Sequence, residues 1–511
     1  MNENQYTRVC EACDRVLLSP ESTTERIAIP WLHVIREHPV LLKHYVGIAS
    51  LVKRTERIRE RAVRLSRYGV MALRDLQRAS RAEARPWFGP GPPPEKVDVL
   101  FVSHLLNETG VAQEDDFYFG NIPAQLLKTD RSVLVALINH CGASATSLAG
   151  KWHARSVPRL VLSTSLGMKH EIVLFRRMWM ESNRLRKVAK LESTSEVSSR
   201  VFARAGDEAL SSASRTALRI SGQIRALVAA HRPEAIVVTH EGHAWERLAF
   251  DAARSVNSRI RCVGYQHSAL FRLQHAVRRN LLGRYNPDHI LTAGAVSKSQ
   301  LEVAPSLRDT PITVLGSNRS FSSSMSATSD TATVGARAKT CLVVPEGFHS
   351  ECALLFEFSR RCAEARPDIQ FIWRLHPSVT FGELENANKK LANLPNNIER
   401  SEAKIQVDLA RSGWALYRGT TAVVQAVGAG LRPVYLSVPG ELTIDPLHEL
   451  DAWKLSVTAP AEFLRIIDTA PGMAGEKSRA EEKLAREYCE RVFLPFEVDV
   501  LTNVLGAPRI T

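Results

Sequence analysis

Short apolar runs alternate with helical stretches over most of this chain, and that alternation restricts the fold more than any other feature. VDVLFVS (97–103), SVLVALIN (132–139), PRLVLSTS (158–165), AIVVTH (235–240), IRCVGYQ (260–266), HILTAG (289–294) and ITVLG (312–316) read as buried strands. Helical patterns such as SSASRTALRISGQIRALVAAH and AWERLAFDAARSV lie between most of them. A second series follows in CLVVPE (341–346), QFIWRL (370–375), WALYRG (414–419) and PVYLSV (433–438), with KLSVTA (454–459) as a further candidate. Strands alternating with helices predict α/β architecture with parallel, doubly wound sheets.

The chain has 511 residues, too many for one core. Residues 1–90 read as a basic helical N-terminal extension, ended by PWFGPGPPPEK (86–96). The first strand series defines a domain over 91–318, and the second defines one over 341–470. The Ser-, Thr- and Ala-rich stretch 319–340 reads as a flexible linker, and 471–511 as a C-terminal helix. Two α/β domains joined this way leave a cleft, which is a default ligand site.

The formal net charge of +13 is unevenly spread: residues 51–85 hold eleven Lys/Arg against four Asp/Glu. A basic helix of this kind sits on an anionic membrane surface or on nucleic acid, or is a solvated face. No zinc-finger or RNP-type motif accompanies it, so nucleic acid is not expected and a peripheral membrane contact ranks above it. No run of about 18 apolar residues is present, and MNENQYTRVCEACDR lacks the apolar stretch of a secretory signal. A cytoplasmic protein is the expectation. The eight cysteines are scattered and read as buried thiols; Cys10 and Cys13 have C-x-x-C spacing without a second ligand pair.

The chemistry gathers at strand ends. QFIWRLHPSVT (370–380) stops at His376-Pro377, because proline has no N–H for a sheet. That leaves His376 either in an ordinary turn or at a carboxyl end where open α/β sheets bind ligands. In YRGTTAVVQAVGAGLRP (417–433) a strand ends at Arg418-Gly419, and Thr420-Thr421 open a helix. Hydroxyls at a helix N-terminus cap it or hold an anion. Together with His376, they favour phosphate.

THEGHAWERLAF (239–250) delivers His240 and Glu241 at another strand end. Glu241 fits a general base or an acid near a helix start; Glu246, a turn further, fits an orienting or capping group. GYQHS (264–268) presents Gln266 and His267, and His104 ends the first run. These histidines lack H-x-x-x-H or carboxylate-rich spacing, so no metal site is expected. Arg374 and Arg418 either face a leaving phosphate or are paired structurally. Glu346 and Gly347 in VPEGFHSECALLF (344–356) line the next strand tip, and ELTIDPLHEL (441–450) follows a strand and would close over a donor sugar.

His-Pro after a strand, followed by a strand, a hydroxyl turn and a helix ending in G-x-x-P, resembles the nucleotide-binding half of GT-B glycosyltransferases of bacterial surface polysaccharides. Bacterial polysialyltransferases, Kdo transferases and CDP-glycerol-type transferases carry this layout. DFYFGNIPAQL (116–126), THEGHAWERLAFDAAR (239–254) and VGYQHSALF (263–271) resemble surface carbohydrate biosynthesis proteins of GT-B layout. The resemblance covers roughly residues 97–450. It implies two Rossmann-like domains facing a cleft, with a nucleotide sugar held by the second and a glycan or lipid-linked acceptor by the first. His376, Thr420 and Thr421 would contact the donor, with no cofactor and no catalytic metal. The turn is Gly419-Thr420-Thr421 here, whereas many relatives have Ser-Ser or Ser-Thr. The implied activity is glycosyl transfer to surface polysaccharide, such as lipopolysaccharide or capsule. CDP-glycerol-type polyol-phosphate transfer and a non-catalytic glycan-binding or scaffold subunit are the rival expectations.

Overall fold

The computed structural model of the protein describes residues 1–49, 54–152, 156–192, 195–320, 337–377, 379–469 and 476–506. Among the described residues, fourteen strands form two sheets. In the first are β1 (Trp87–Phe88), β2 (Val99–Leu105), β3 (Val133–Asn139), β4 (Arg159–Leu162), β5 (Ala235–Thr239), β6 (Arg261–Gln266), β7 (His289–Thr292) and β8 (Ile312–Val314). In the second are β9 (Thr340–Pro345), β10 (Gln370–Arg374), β11 (Ile398–Ser401), β12 (Trp414–Arg418), β13 (Arg432–Leu436) and β14 (Leu455–Val457). Every apolar run read from the sequence overlaps one of these strands. β1 and β11 were not anticipated.

The second sheet is wholly parallel, ordered β11-β10-β9-β12-β13-β14. Renumbered from its own first strand, this is 3-2-1-4-5-6, the order of dinucleotide-binding sheets. The first sheet runs β1-β4-β3-β2-β5-β6-β7-β8, the same winding extended by β8, with β1 antiparallel on the β4 edge. The winding reverses between β2 and β5 in one sheet and between β9 and β12 in the other. Such switch points leave a crevice beyond the strand ends, where ligands bind.

Residues 1–49 are built into the first domain rather than extending from it. Helix Glu3–Leu17 buries Tyr6, Val9, Cys10, Cys13, Val16 and Leu17. They share an apolar cluster with Leu174, Met178, Leu185, Val201, Phe202 and Leu248. Each fully buried aliphatic side chain stabilises by about 1.5–3 kcal/mol, which fixes this helix in the core. The arginine-rich helix Arg54–Arg81 lies outside and is held by ions: Arg61 (3.1 Å) and Arg64 (2.9 Å) meet Asp207, and Asp75 meets Arg215 (2.6 Å).

The C-terminal stretch forms two helices, not one, because Pro495 cannot continue the first. Helix Glu476–Val492 packs on the second domain. The chain then crosses back: Ser317 N–H donates to the Leu494 carbonyl (2.6 Å) and Glu497 N–H to that of Leu315 (3.0 Å). Helix Val498–Leu505 buries Leu501 and Val504 in the first domain's core. Most of the linker read over 319–340 (residues 321–336) lies outside the described residues. Across the joint, Ala269, Ala293 and Val296 share a core with Tyr417, Val423 and Phe493. The result is α/β: two Rossmann-like domains that meet at a shared apolar cluster.

Candidate active site

At the first switch point, His104 lies one residue before the end of β2, beside Thr239 at the end of β5. Its Nε2 lies 3.1 Å from Thr239 Oγ1, and its Nδ1 lies 2.8 Å from His140 Nε2. Trp245 and Tyr118 meet the imidazole edge-on, with ring centroids at 5.1 and 5.5 Å. Tyr118 also meets His267 with the two rings tilted, centroids 4.2 Å apart. Asp116 presents Tyr118: its Oδ1 accepts the N–H groups of Tyr118 (2.9 Å) and Phe119 (2.8 Å) and the Ser103 hydroxyl (2.8 Å). Burial, with His140, His267 and His243 nearby, holds His104 well below the usual histidine range. Burial likewise brings His267 down to about 4. Both are neutral at physiological pH.

The loop after β5 hangs on one carboxylate oxygen. Glu246 Oε2 accepts the N–H groups of Glu241 (2.9 Å), Gly242 (2.7 Å) and His243 (2.9 Å). Gly242 has φ +87°, and a Cβ there would strike the Ala276 backbone, so only glycine makes this turn. The Glu241 carboxylate accepts the Ser268 hydroxyl (2.8 Å) and lies 3.5 Å from His243 Nε2. Burial alone would raise its pKa. The His243 contact and the positive field of His243 and Arg36 outweigh that and hold it well below the usual carboxylate range. His243 is desolvated too, but the Glu241 carboxylate raises its pKa above 6.5.

His240 does not reach the cleft. Alternation at the end of β5 sends Thr239 toward His104 and His240 beneath Gly264, against Phe250. It is fully buried, 3.4 Å from Glu246. Gln266 is buried as well, and its amide donates to the Ser268 carbonyl, fixing the loop that carries Ser268.

At the second switch point, Glu346 and Gly347 follow β9, and Gly419, Thr420 and Thr421 follow β12. Gly419 has φ +69°, and a Cβ there would lie 2.7 Å from Glu346 Oε2. The Thr421 hydroxyl accepts from Arg319 Nη1 (3.3 Å), and Thr420 Oγ1 accepts the Ala422 N–H (3.3 Å). Arg319 comes from the end of the first domain, its guanidinium over the Phe117 and Phe493 rings at 5.9 Å. His376 is half-buried beyond β10, its carbonyl accepting the Val379 N–H (3.0 Å). Burial lowers its pKa against the opposing pull of Glu346. Ile444, in the segment after β13, packs beside Gly419.

Of the two alternatives read for Arg374 and Arg418, phosphate contact or structural pairing, both are seen paired with buried carboxylates. Arg418, 1% exposed, meets both oxygens of Glu351 (2.9 and 2.8 Å) and also Glu441. Arg374 pairs with the fully buried Asp408 (2.9 Å) and donates to the Ala403 carbonyl (2.6 Å). Each brings one strand end to its neighbours and has its charge neutralised there.

Several site residues were not singled out from the sequence. His243 lies in the THEGH motif and is the more exposed member of its pair with Glu241 (38% against 24%). Tyr118 lies in the DFYFG motif. Arg36 and His38 come from the N-terminal segment and reach Glu346, more than three hundred residues away. No local signal marks them. Among the described residues, no group of three or more His, Cys, Asp or Glu side chains is arranged to hold a metal ion.

No protein-family model matches the chain. No curated protein matches it either. Solved structures with a similar layout include HepE of Anabaena in complex with UDP and glucose. It is 14% identical with a TM-score of 0.43, covering 79% of this chain and 97% of that one. MurG of Acinetobacter baumannii is 10% identical with a TM-score of 0.42, covering 81% and 99%. The UDP-N-acetylglucosamine 2-epimerase of Rickettsia bellii is 9% identical with a TM-score of 0.44, covering 80% and 96%. Likeness this distant says nothing about the reaction, which has to be read from the site.

Proposed function

We propose that the protein is a glycosyltransferase. It moves a sugar from a nucleotide-sugar donor, bound at the second switch point, to a hydroxyl of a glycan or lipid-linked acceptor at the first. The observation that carries this reading is the meeting of two unlike switch points: a Glu241–His243 pair on one side, and the Gly419–Thr421 turn with His376 on the other. Arg319, which runs from the first domain to Thr421, joins them.

Glycosyl transfer needs a base for the acceptor hydroxyl and stabilisation of the departing phosphate. A carboxylate held far below its usual range is a weak base, so Glu241 serves better as the group that orients and charges His243. The more exposed His243 takes the proton. The Thr420 and Thr421 hydroxyls, the backbone N–H groups of their turn and His376 receive the developing phosphate charge.

Purified protein incubated with UDP-, CDP-, GDP- and CMP-sugars and with CDP-glycerol tests this. Release of nucleotide from one sugar donor, lost in Glu241→Ala, His243→Ala and His376→Ala, is expected. Turnover of CDP-glycerol alone would make it a polyol-phosphate transferase. Absence of any nucleotide binding by calorimetry would make it a scaffold. Turnover intact in all three variants would end the role assignment.

The acceptor side of this reading includes contact with an anionic membrane. Helix Arg54–Arg81 exposes Ile58, Val63, Val70 and Leu73 among its arginines, and the neighbouring helix Met168–Leu191 exposes Ile172, Phe175 and Trp179. Apolar rows flanked by cations suit an anionic lipid interface. Co-sedimentation with phosphatidylglycerol vesicles, reduced in Phe175→Ser/Trp179→Ser, is the expected result. Equal sedimentation of both proteins would count against it. No helix of the described residues is long and apolar enough to cross a membrane.

A further inference from the structure

A third element enters the cleft from the N-terminal segment. Glu37 ties it to the first domain by accepting the Leu273 N–H (2.6 Å). On either side of Glu37, Arg36 and His38 turn to the second domain and converge on Glu346. The Arg36 guanidinium sits between two rings, Phe271 of the first domain (5.2 Å) and Phe348 of the second (5.8 Å). His38 is fully buried with its ring against Phe348 (4.6 Å). Its Nδ1 accepts the Val40 N–H (3.1 Å), which leaves the proton on Nε2. That Nε2 lies 2.9 Å from Glu346 Oε2, and neither atom has another hydrogen-bond partner among the described residues.

The Glu346 carboxylate is therefore seated among donors inside the second switch point. Its Oε2 presses on Gly419, leaving no room there for a Cβ. Arg36 is its ion-pair partner, and its charge also acts on His376. A buried histidine and an arginine, both turned on a carboxylate that fills the space beside a glycine turn, describe an anion seat filled by the protein's own side chain.

We propose that Arg36 and His38 are ligands for the donor's diphosphate, and that Glu346 is a placeholder displaced when the donor binds. This rests on the donor-binding reading above and adds to it a third contributor to the pocket, the N-terminal segment. Binding moves Glu346 away from Gly419 and passes Arg36 and His38 from carboxylate to phosphate oxygens. The segment bound to the first domain then closes the cleft over the second.

Calorimetry with UDP, CDP, GDP and ADP on the full chain tests it. For the nucleotide that binds, Arg36→Ala and His38→Gln are each expected to weaken affinity by about tenfold to a hundredfold, as loss of a charge-assisted hydrogen bond does. Glu346→Gln, which keeps the shape and removes the competing charge, is expected to tighten it several-fold. It also keeps the test open if Arg36→Ala does not fold. Unchanged affinity in the Arg36 and His38 variants, or weaker binding by Glu346→Gln, overturns the inference while donor binding stands. No binding of these nucleotides or of CMP by the wild type overturns the donor reading itself.

Discussion

Glu246 is the most exacting place to test how the first switch point is held. Its side chain is 1% exposed, and one oxygen accepts three consecutive backbone N–H groups at 2.7–2.9 Å. In Glu246→Ala those donors lose their partner, the Gly242 N–H buried and the other two part-buried. A carboxylate oxygen has two lone pairs, so two of the three count as full charge-assisted bonds of about 1.5–2 kcal/mol each. The expected loss is about 3–4 kcal/mol, concentrated in the loop that carries Glu241 and His243. At about 1.4 kcal/mol per factor of ten, the amides of 241–243 should exchange with deuterium about a hundredfold faster or more. Glu246→Gln keeps an oxygen and loses the charge, so roughly half the effect is expected. Hydrogen–deuterium exchange on a peptide covering 239–247 reads both. Exchange in Glu246→Ala equal to wild type would refute the reasoning.

Two further outcomes follow from the same geometry. Arg418→Met leaves Glu351 buried without its partner and should lower stability by about 3–5 kcal/mol. The double variant Arg418→Met/Glu351→Met should recover much of that in urea unfolding; a double variant no better than the single would contradict the ion-pair account. If His243 is the base, activity climbs with pH through its raised pKa, because only the deprotonated ring accepts a proton. Glu241→Gln removes the charge that raises it, so the acid limb of kcat/KM should move to lower pH, with the residual rate reduced. A limb that stays in place would remove Glu241 from that role.

How much of this was legible in the sequence follows from which interactions are local. Buried parallel strands are apolar on both faces, so runs such as VDVLFVS and CLVVPE announce themselves. β11 did not, because its residues Ile398-Glu399-Arg400-Ser401 belong to a partly solvated edge strand. β1 is two residues in a proline-rich stretch. His376, Glu241 and the Thr420-Thr421 turn were legible because a strand that stops in a turn puts the residues of that turn at the sheet's carboxyl edge.

His240 went the other way because neighbouring positions at a strand end face opposite sides, and the sequence does not mark which one meets the cleft. Arg374 and Arg418 looked available because their carboxylates, Asp408 and Glu351, are 34 and 67 residues away. Helix Glu3–Leu17 reads as polar, yet its buried face completes the first domain's core. Arg36 and His38 meet Glu346 only after both domains and that segment have assembled.

A structure with the bound nucleoside diphosphate tests the central claim most directly. The account predicts density for the diphosphate between the Gly419–Thr421 turn and Arg36, with Glu346 turned away and His376 beside it. Nucleotide bound elsewhere, or a diphosphate that leaves the Arg36–Glu346 pair intact, would contradict it.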